Sequence, residues 1–363
     1  MGKKKVAIVG TNGIPAQYGG FETLVENITS ELSDLYSFKI YCSKTQNSRI
    51  NFFNNSNLVY IPLKANGWQS IIYDIITLCD ASLTSDIILY LGPGAGFTLP
   101  ILNFFGRKTI INHGGLNEWE REKYSKYERY IAKAGHKIGA RFALYNISDN
   151  QILRQSILAS FNIDSHVIKY GGDHAQRIFP DESLLKKYPF LINDYYVNIS
   201  RAQVDNNLHI VLESFKGMKD KKLVMISNWQ ISDYGKILKQ EYYNKYKNII
   251  LLDAIYDKRE INAIRGNSTA YIHSHSYCGT SPSLVEAMSL GLPIISYDVP
   301  INHETTQKKA VFFKNPTELS HILSSLSKED LLKIGDSMKE IANQEYTWNK
   351  ICAQYADLFD RCE

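Results

Sequence analysis

Short apolar runs recur along the chain, each ended by a glycine-rich or polar turn and followed by a longer stretch of helical period. Val6-Ala7-Ile8-Val9 stops at Gly10-Thr11-Asn12-Gly13-Ile14-Pro15, and a second glycine pair, Gly19-Gly20, precedes a helix expected over 21–35. Strands are expected at 38–42, 59–61 and 86–91, with a helix over 71–82. The third of these strands runs into Gly92-Pro93-Gly94-Ala95-Gly96, a helix and a strand at 109–113. From 119 to 142 the pattern gives one long helix, then strands at 143–147 and 165–168, the latter leading to Tyr170-Gly171-Gly172-Asp173. The polar, proline-bearing stretch 179–194 reads as an interdomain linker. A second alternation follows, with strands at 195–199, 222–226 and 249–252, a helix over 207–216 and a terminal helix over 348–359. Strands and helices alternating in this way give parallel, doubly wound sheets of the α/β class.

The stretch 271–300 carries the clearest site signal. Its apolar strand stops at His273-Ser274-His275-Ser276, and the turn Cys278-Gly279-Thr280-Ser281-Pro282 opens an amphipathic helix. Ser281 is placed to cap that helix, and Pro282 falls where a missing N–H costs nothing. A fresh helix N-terminus after a glycine turn is a place for anionic oxygens. Glu286, one turn in, lies among Leu284, Val285, Ala287 and Met288, so its carboxylate needs a partner. That partner is either a ribose diol or a structural arginine and backbone amides.

Other chemistry gathers at strand ends. Arg201 ends the first strand of the second half and can clamp a diphosphate, or pair with Asp205 on the surface. His113 follows a strand and precedes Gly114-Gly115 on the same carboxyl edge. The first glycine turn lacks the GxGxxG spacing of a dinucleotide fingerprint, and the second strand ends without the acid that would hold an adenosine ribose. His273 and His275 are expected on opposite faces and hence as poor joint metal ligands; with no Asp-x-Asp anywhere, no metal is expected.

Composition adjusts this picture little. A net charge of +4 does not call for nucleic acid. Five scattered cysteines without CxxC spacing argue against a disulfide framework or zinc site and for a reducing compartment. No signal-peptide region precedes the first strand, and no stretch approaches ~20 apolar residues, so a cytoplasmic protein without membrane spans is expected. The 119–142 helix interleaves Arg121, Lys123, Lys126, Arg129, Lys133, Lys137 and Arg141 with Trp119, Tyr124, Tyr127, Tyr130 and Phe142. It suits either a solvated face or the surface of an anionic bilayer.

Four segments together resemble the GT-B-fold, retaining, metal-independent glycosyltransferases of family 4, and more narrowly the bacterial rhamnosyltransferase-like enzymes of capsule and O-antigen assembly. They are residues 6–28 (VAIVGTNGIPAQYGGFETLVENI), 112–123 (NHGGLNEWEREK), 170–175 (YGGDHA) and 273–295 (HSHSYCGTSPSLVEAMSLGLPII). The resemblance implies two Rossmann-like domains facing across a cleft, with an acceptor-side domain over 1–175 and a nucleotide-sugar domain over 176–345. Helix 346–363 is expected to pack back on the first domain. Gly19 and Gly20 would bring backbone close to donor diphosphate and acceptor, and His113 would contact the transferring sugar. Arg201 would neutralise the leaving diphosphate, Gly279, Thr280 and Ser281 would present N–H groups, and Glu286 would bind the ribose.

Two departures stand out. Cys278 occupies the position, eight residues before Glu286, where the broad family carries a carboxylate for donor-sugar hydroxyls. No lysine follows Arg201 closely; the segment reads Ala202-Gln203-Val204-Asp205-Asn206-Asn207. The implied reaction is transfer of L-rhamnose from dTDP-β-L-rhamnose, without a cofactor, onto a polyprenyl-diphosphate-linked saccharide at the cytoplasmic face of the inner membrane. A UDP- or GDP-hexose donor, a sugar-nucleotide epimerase, a nicotinamide enzyme and a degenerate, non-catalytic transferase are the alternatives.

Overall fold

The computed structural model describes residues 2–16, 19–44, 50–67, 69–115, 126–277 and 279–362, side chains of 126–128 apart. Contacts divide the chain into two compact units, Met1–Lys169 with Trp348–Glu363, and Tyr170–Thr347.

The first unit is built on eight strands: β1 (Lys5–Val9), β2 (Ser37–Ser43), β3 (Phe52–Phe53), β4 (Ser56–Ile61), β5 (Ile87–Leu91), β6 (Lys108–Asn112), β7 (Tyr145–Ser148) and β8 (His166–Val167). Their order is β3-β4-β2-β1-β5-β6-β7-β8, parallel throughout except for the β3–β4 pair. Val6 to Val9 of β1 and all of β5 are buried, which is why these strands read as continuous apolar runs: helices cover the sheet on both faces. The terminal helix Trp348–Asp360 packs on helix Gly20–Leu32. Tyr36 donates to Asp360 Oδ1 at 2.8 Å, and Asn112 donates to the Tyr355 hydroxyl at 2.7 Å. The basic helix is described from Lys126 to Phe142; the earlier part of the expected helix, 119–125, lies outside the described residues.

The second unit carries six parallel strands, β9 (Tyr196–Ile199), β10 (Leu223–Ser227), β11 (Ile249–Asp253), β12 (Ala270–His273), β13 (Ile294–Tyr297) and β14 (Val311–Phe313), in the order β11-β10-β9-β12-β13-β14. One expectation is corrected here. The stretch read as a linker is folded into this unit as helix Glu182–Lys187 and a 3-10 turn, Pro189–Ile192. Leu184, Tyr188, Phe190 and Leu191 are buried, and the Tyr188 hydroxyl donates to Glu260 at 2.7 Å. The polar residues between them hid an apolar anchor too sparse to show as a period. Among the described residues, no helix is long and apolar enough to cross a membrane.

Candidate functional site

In each sheet the strand order reverses at one place, and that reversal opens a crevice at the carboxyl ends of two neighbouring strands. In the first unit the reversal lies between β1 and β5; in the second it lies between β9 and β12. The glycine turns and polar strand ends singled out in the sequence fall at these two places.

In the first unit, the turn after β1 is held by a residue not anticipated as part of the site. Glu22, in the first turn of helix Gly20–Leu32, is buried and reaches back to the turn. Its Oε1 accepts from Thr11 Oγ1 (3.0 Å), from the Asn12 amide (2.8 Å) and from Asn12 Nδ2 (3.1 Å). Burial raises its pKa, and these hydrogen bonds pull the other way. Gly19 has φ +100, and a Cβ there would stand 2.5 Å from Glu22 Oε2, so this position requires glycine. The Phe21 ring follows and fills the space at Gly114, where an added Cβ would lie 2.6 Å from Cζ. The glycine pair and the His113 segment are thereby brought together.

His113 leaves the end of β6 fully enclosed. Its Nε2–H donates to Asn146 Oδ1 at 2.8 Å, and Asn146 in turn donates to the Ala140 carbonyl at 2.9 Å. That arrangement fixes the tautomer and leaves Nδ1 as a bare acceptor, buried without a partner among the described residues. Burial pushes the His113 pKa down to about 4, against the pull of its bond to Asn146. His113 is therefore a neutral hydrogen-bond acceptor near pH 7 rather than a cation. His136, its neighbour, is pushed down to about 3 by burial and by His113.

A second buried acid in this unit was also missed. Asp74, on helix Gln69–Thr84, accepts from the Tyr90 hydroxyl at 2.7 Å, and the same hydroxyl accepts from the Ala95 amide at 2.7 Å. Burial lifts the Asp74 pKa to about 7 although the Tyr90 bond favours the anion. The pair anchors the loop after β5.

In the second unit, Arg201 follows β9 and is exposed; among the described residues it makes no ion pair, and Asp205 does not take it. Its backbone is pinned, the carbonyl accepting from the Gln203 amide and from Asn206 Nδ2, each at 2.8 Å. Ser276 ties the loop after β12 to the same place, donating to the Asp205 carbonyl from both its amide and its hydroxyl at 2.9 Å.

His273 and His275 correct an expectation. Their ring centroids are 4.5 Å apart, because residues two apart on a strand point to the same face. Burial drives both pKa values down, that of His273 to about 3, and each ring is neutral at pH 7. His275 Nε2 shares a hydrogen bond with Ser200 Oγ at 3.0 Å. No group of three or more His, Cys, Asp or Glu among the described residues is placed to hold a metal ion.

Ser281 corrects another. It occupies the N-cap of helix Pro282–Ser289, but its hydroxyl bonds Ser283 Oγ at 3.0 Å and makes no capping bond. Pro282 has no N–H to offer, and the Leu284 and Val285 amides return to the Ser281 carbonyl at 3.0 and 3.2 Å. Thr280 and Ser281 are buried and Gly279 is half-buried; Cys278 lies outside the described residues.

Glu286 has protein partners on both oxygens. Oε2 pairs with Arg265 Nη1, and Oε1 accepts from His174 Nε2 at 3.1 Å. Burial alone raises its pKa, but the Arg265 charge and the His174 contact outweigh it and hold the carboxylate below its ordinary range. His174 reaches it because Gly172 lies against the Val285 backbone and Ser289, where a Cβ on Gly172 would overlap both. Arg265 ends helix Lys258–Gly266 and gave no sequence signal beyond a basic residue near a helix C-terminus.

Residues 186–345 match the family of glycosyl transferases group 1, and residues 3–173 match a domain family of unknown function, DUF1972. The chain has the GT-B fold, with a group 1 glycosyl transferase domain. Solved structures agree on the fold at low identity. A sucrose-phosphate synthase from Thermosynechococcus elongatus superposes with a TM-score of 0.81 at 14% identity, over 99% of each chain. Anabaena HepE in complex with UDP and glucose gives 0.76 at 15%, over 99% of this chain and 100% of that one. An E. coli trehalose-6-phosphate protein bound with UDP-2-fluoro glucose gives 0.71 at 12%, over 98% of each. No curated protein matches the chain in sequence. For a glycosyltransferase of this fold, the second unit's exposed arginine, small-residue turn at a helix start and organised carboxylate are the features to explain.

Proposed function

We propose that this glycosyltransferase moves a hexosyl unit, L-rhamnose from dTDP-β-L-rhamnose, with retention onto a lipid-diphosphate-linked saccharide at an anionic membrane surface. The observation that carries the reading is the second unit's crevice. There Arg201 is exposed and makes no ion pair among the described residues, the small-residue turn Gly279 to Ser281 leads into helix Pro282–Ser289, and Glu286 is held by Arg265 and His174. A diphosphate supplies the charge that Arg201 lacks, and backbone amides of Gly279, Thr280 and Ser281 supply hydrogen bonds to it. Glu286 accepts from the ribose hydroxyls through lone pairs its protein partners leave free, since a carboxylate has about four acceptor sites. Gly19 and Gly20 present backbone to donor and acceptor. His113, neutral rather than cationic, is the first unit's candidate contact to the transferring sugar. Cys278, where related enzymes carry a sugar-reading carboxylate, suits a deoxysugar.

The reaction proceeds at one face of the sugar. As the bond from the anomeric carbon to the diphosphate oxygen lengthens, Arg201 and the amides stabilise the charge that collects there. The departing diphosphate takes the proton of the acceptor hydroxyl as that oxygen bonds to the anomeric carbon, so no separate base is required. A UDP-hexose donor is the second reading, favoured by the similar structures solved with UDP and glucose or UDP-2-fluoro glucose. Arg201→Ala is expected to lower turnover at least ~100-fold, about 2.7 kcal/mol on the transition state, in a donor-consumption assay. Near-normal turnover removes Arg201 from the site. Proton NMR of the product should show a β-L-rhamnoside; an α-linkage would sink the retaining course.

A further inference from the structure

The helix Leu99–Phe104 is apolar on both sides. Leu99 and Leu102 face the core at 1% and 6% exposure, whereas Phe97, Ile101, Phe104 and Phe105 face outward. Phe104 is 85% exposed and Ile101 and Phe105 are 63% and 65%, an exposure unusual for residues of this size on one short segment. Their spacing of three, four and eight positions puts them on one stripe. Apolar side chains of this size belong in a core or in lipid, and this outward stripe is in neither.

The basic helix packs directly beside it. Gly96, next to Phe97, presses so close that an added Cβ would overlap the Gly135 carbonyl and stand 2.8 Å from Gly139 Cα. The opposite side of the basic helix presents Tyr130, Lys133, Lys137 and Arg141, all exposed and spaced by three or four residues. Arg107 and Lys108 follow the aromatic pair on the chain. Across 87–112 and 129–148 there is no Asp or Glu, so these cations have no acidic neighbour in their own segments. An exposed apolar stripe next to a helix whose outer side carries cations is complementary to an anionic bilayer, whose headgroups attract the cations and whose acyl boundary accepts the rings.

We infer that Phe97, Ile101, Phe104 and Phe105, with Lys133, Lys137 and Arg141, form the seat by which the first unit enters an anionic membrane surface. This deepens the membrane partner named above and rests on that reading, yet it assigns the anchoring to a segment outside the basic helix. Flotation of the full chain with phosphatidylglycerol-containing and pure phosphatidylcholine vesicles tests it without any sugar substrate. Binding should require phosphatidylglycerol and weaken with salt. F104S/F105S should lower the partition at least ~10-fold while leaving the melting curve in place, and K133Q/K137Q/R141Q should lower it ~100-fold and abolish most of its salt dependence.

Equal binding to neutral vesicles, no flotation of the wild type, or unchanged partition of F104S/F105S each overturns the proposal. Self-association that disappears in F104S/F105S also overturns it, by assigning the face to a second copy of the chain. Binding of dTDP-β-L-rhamnose and UDP-glucose, measured separately on the same variants, should be unaltered. A wild type that floats but binds neither sugar nucleotide would count against the transferase donor and leave the seat standing.

Discussion

Replacing Arg265 by methionine tests whether Glu286 is held as described. The guanidinium is 6% exposed and the Glu286 side chain 13%, so removing the cation leaves a nearly enclosed carboxylate with His174 as its remaining neutral-or-charged partner. Breaking a buried pair from one side costs about 3–5 kcal/mol, because the stranded charge keeps its desolvation penalty. In a unit of this size that corresponds to a fall of roughly 6–20 °C in Tm for the transition containing residues 170–347. The double variant R265M/E286L removes both charges and should recover a large part of that loss, since an apolar replacement strands nothing. Calorimetric melts of the wild type, both single variants and the double variant complete the cycle. The folded Glu286 pKa is depressed, so its contribution is present above the ordinary value of 4.5 and is lost as pH falls through the lower folded value. The wild-type melt should accordingly lose this contribution only in acid. A Tm for R265M within ~2 °C of wild type, or a double variant as unstable as the sum of the singles, would refute the pairing.

Two more expectations concern the first unit. Asp74 has its pKa raised by burial from 3.8 to about 7, so the folded state binds the extra proton and stability falls as pH rises through that window, by about 4 kcal/mol in all. Asp74→Asn keeps an acceptor for Tyr90 and should flatten the pH–stability curve there, whereas an unchanged slope in chemical denaturation would assign the dependence elsewhere. Glu22→Ala removes the acceptor of three hydrogen bonds, each worth ~1 kcal/mol net, and should speed hydrogen exchange at the Asn12 amide. Glu22→Gln should restore protection, and equal exchange in wild type and Glu22→Ala would deny Glu22 its hold on the turn.

Much of the scaffold was legible because the parallel strands are buried on both faces. Runs such as Val6–Val9 and Ile87–Leu91 are apolar without interruption and are punctuated by glycine, so these strands follow from pattern alone, whereas the three-residue strand β14 does not. What escaped depends on partners far away in sequence. The two-residue strand β3 has no period to read. The segment 179–194 disguises its buried Leu184, Tyr188, Phe190 and Leu191 among charges. Glu22, Asp74 and Arg265 look like ordinary polar positions of amphipathic helices until the fold encloses them.

The site shows the same division. Strand ends and helix starts located His113, Arg201, Ser281 and Glu286, but not how each is partnered. Sequence spacing did contain the relation between His273 and His275, since a period of two places both on one face, and the structure sets their rings 4.5 Å apart. Ser281 keeps its place at the helix start while its hydroxyl turns to Ser283, a choice between two nearby acceptors that position alone does not decide.

The proposed function requires the second unit to bind a nucleoside diphosphate sugar through Arg201, Gly279 to Ser281 and Glu286. Titration calorimetry and thermal shift of the full chain against dTDP-β-L-rhamnose, UDP-glucose and GDP-mannose measure it most directly. Saturable, one-to-one binding of at least one of these is predicted, with dTDP-β-L-rhamnose tightest. At a hundredfold excess over Kd it should stabilise the protein by ~2.7 kcal/mol, a rise of roughly 5–10 °C in Tm, and Arg201→Ala should bind at least ~10-fold more weakly. No heat and no shift with any of the three sugars at millimolar concentration would contradict the account.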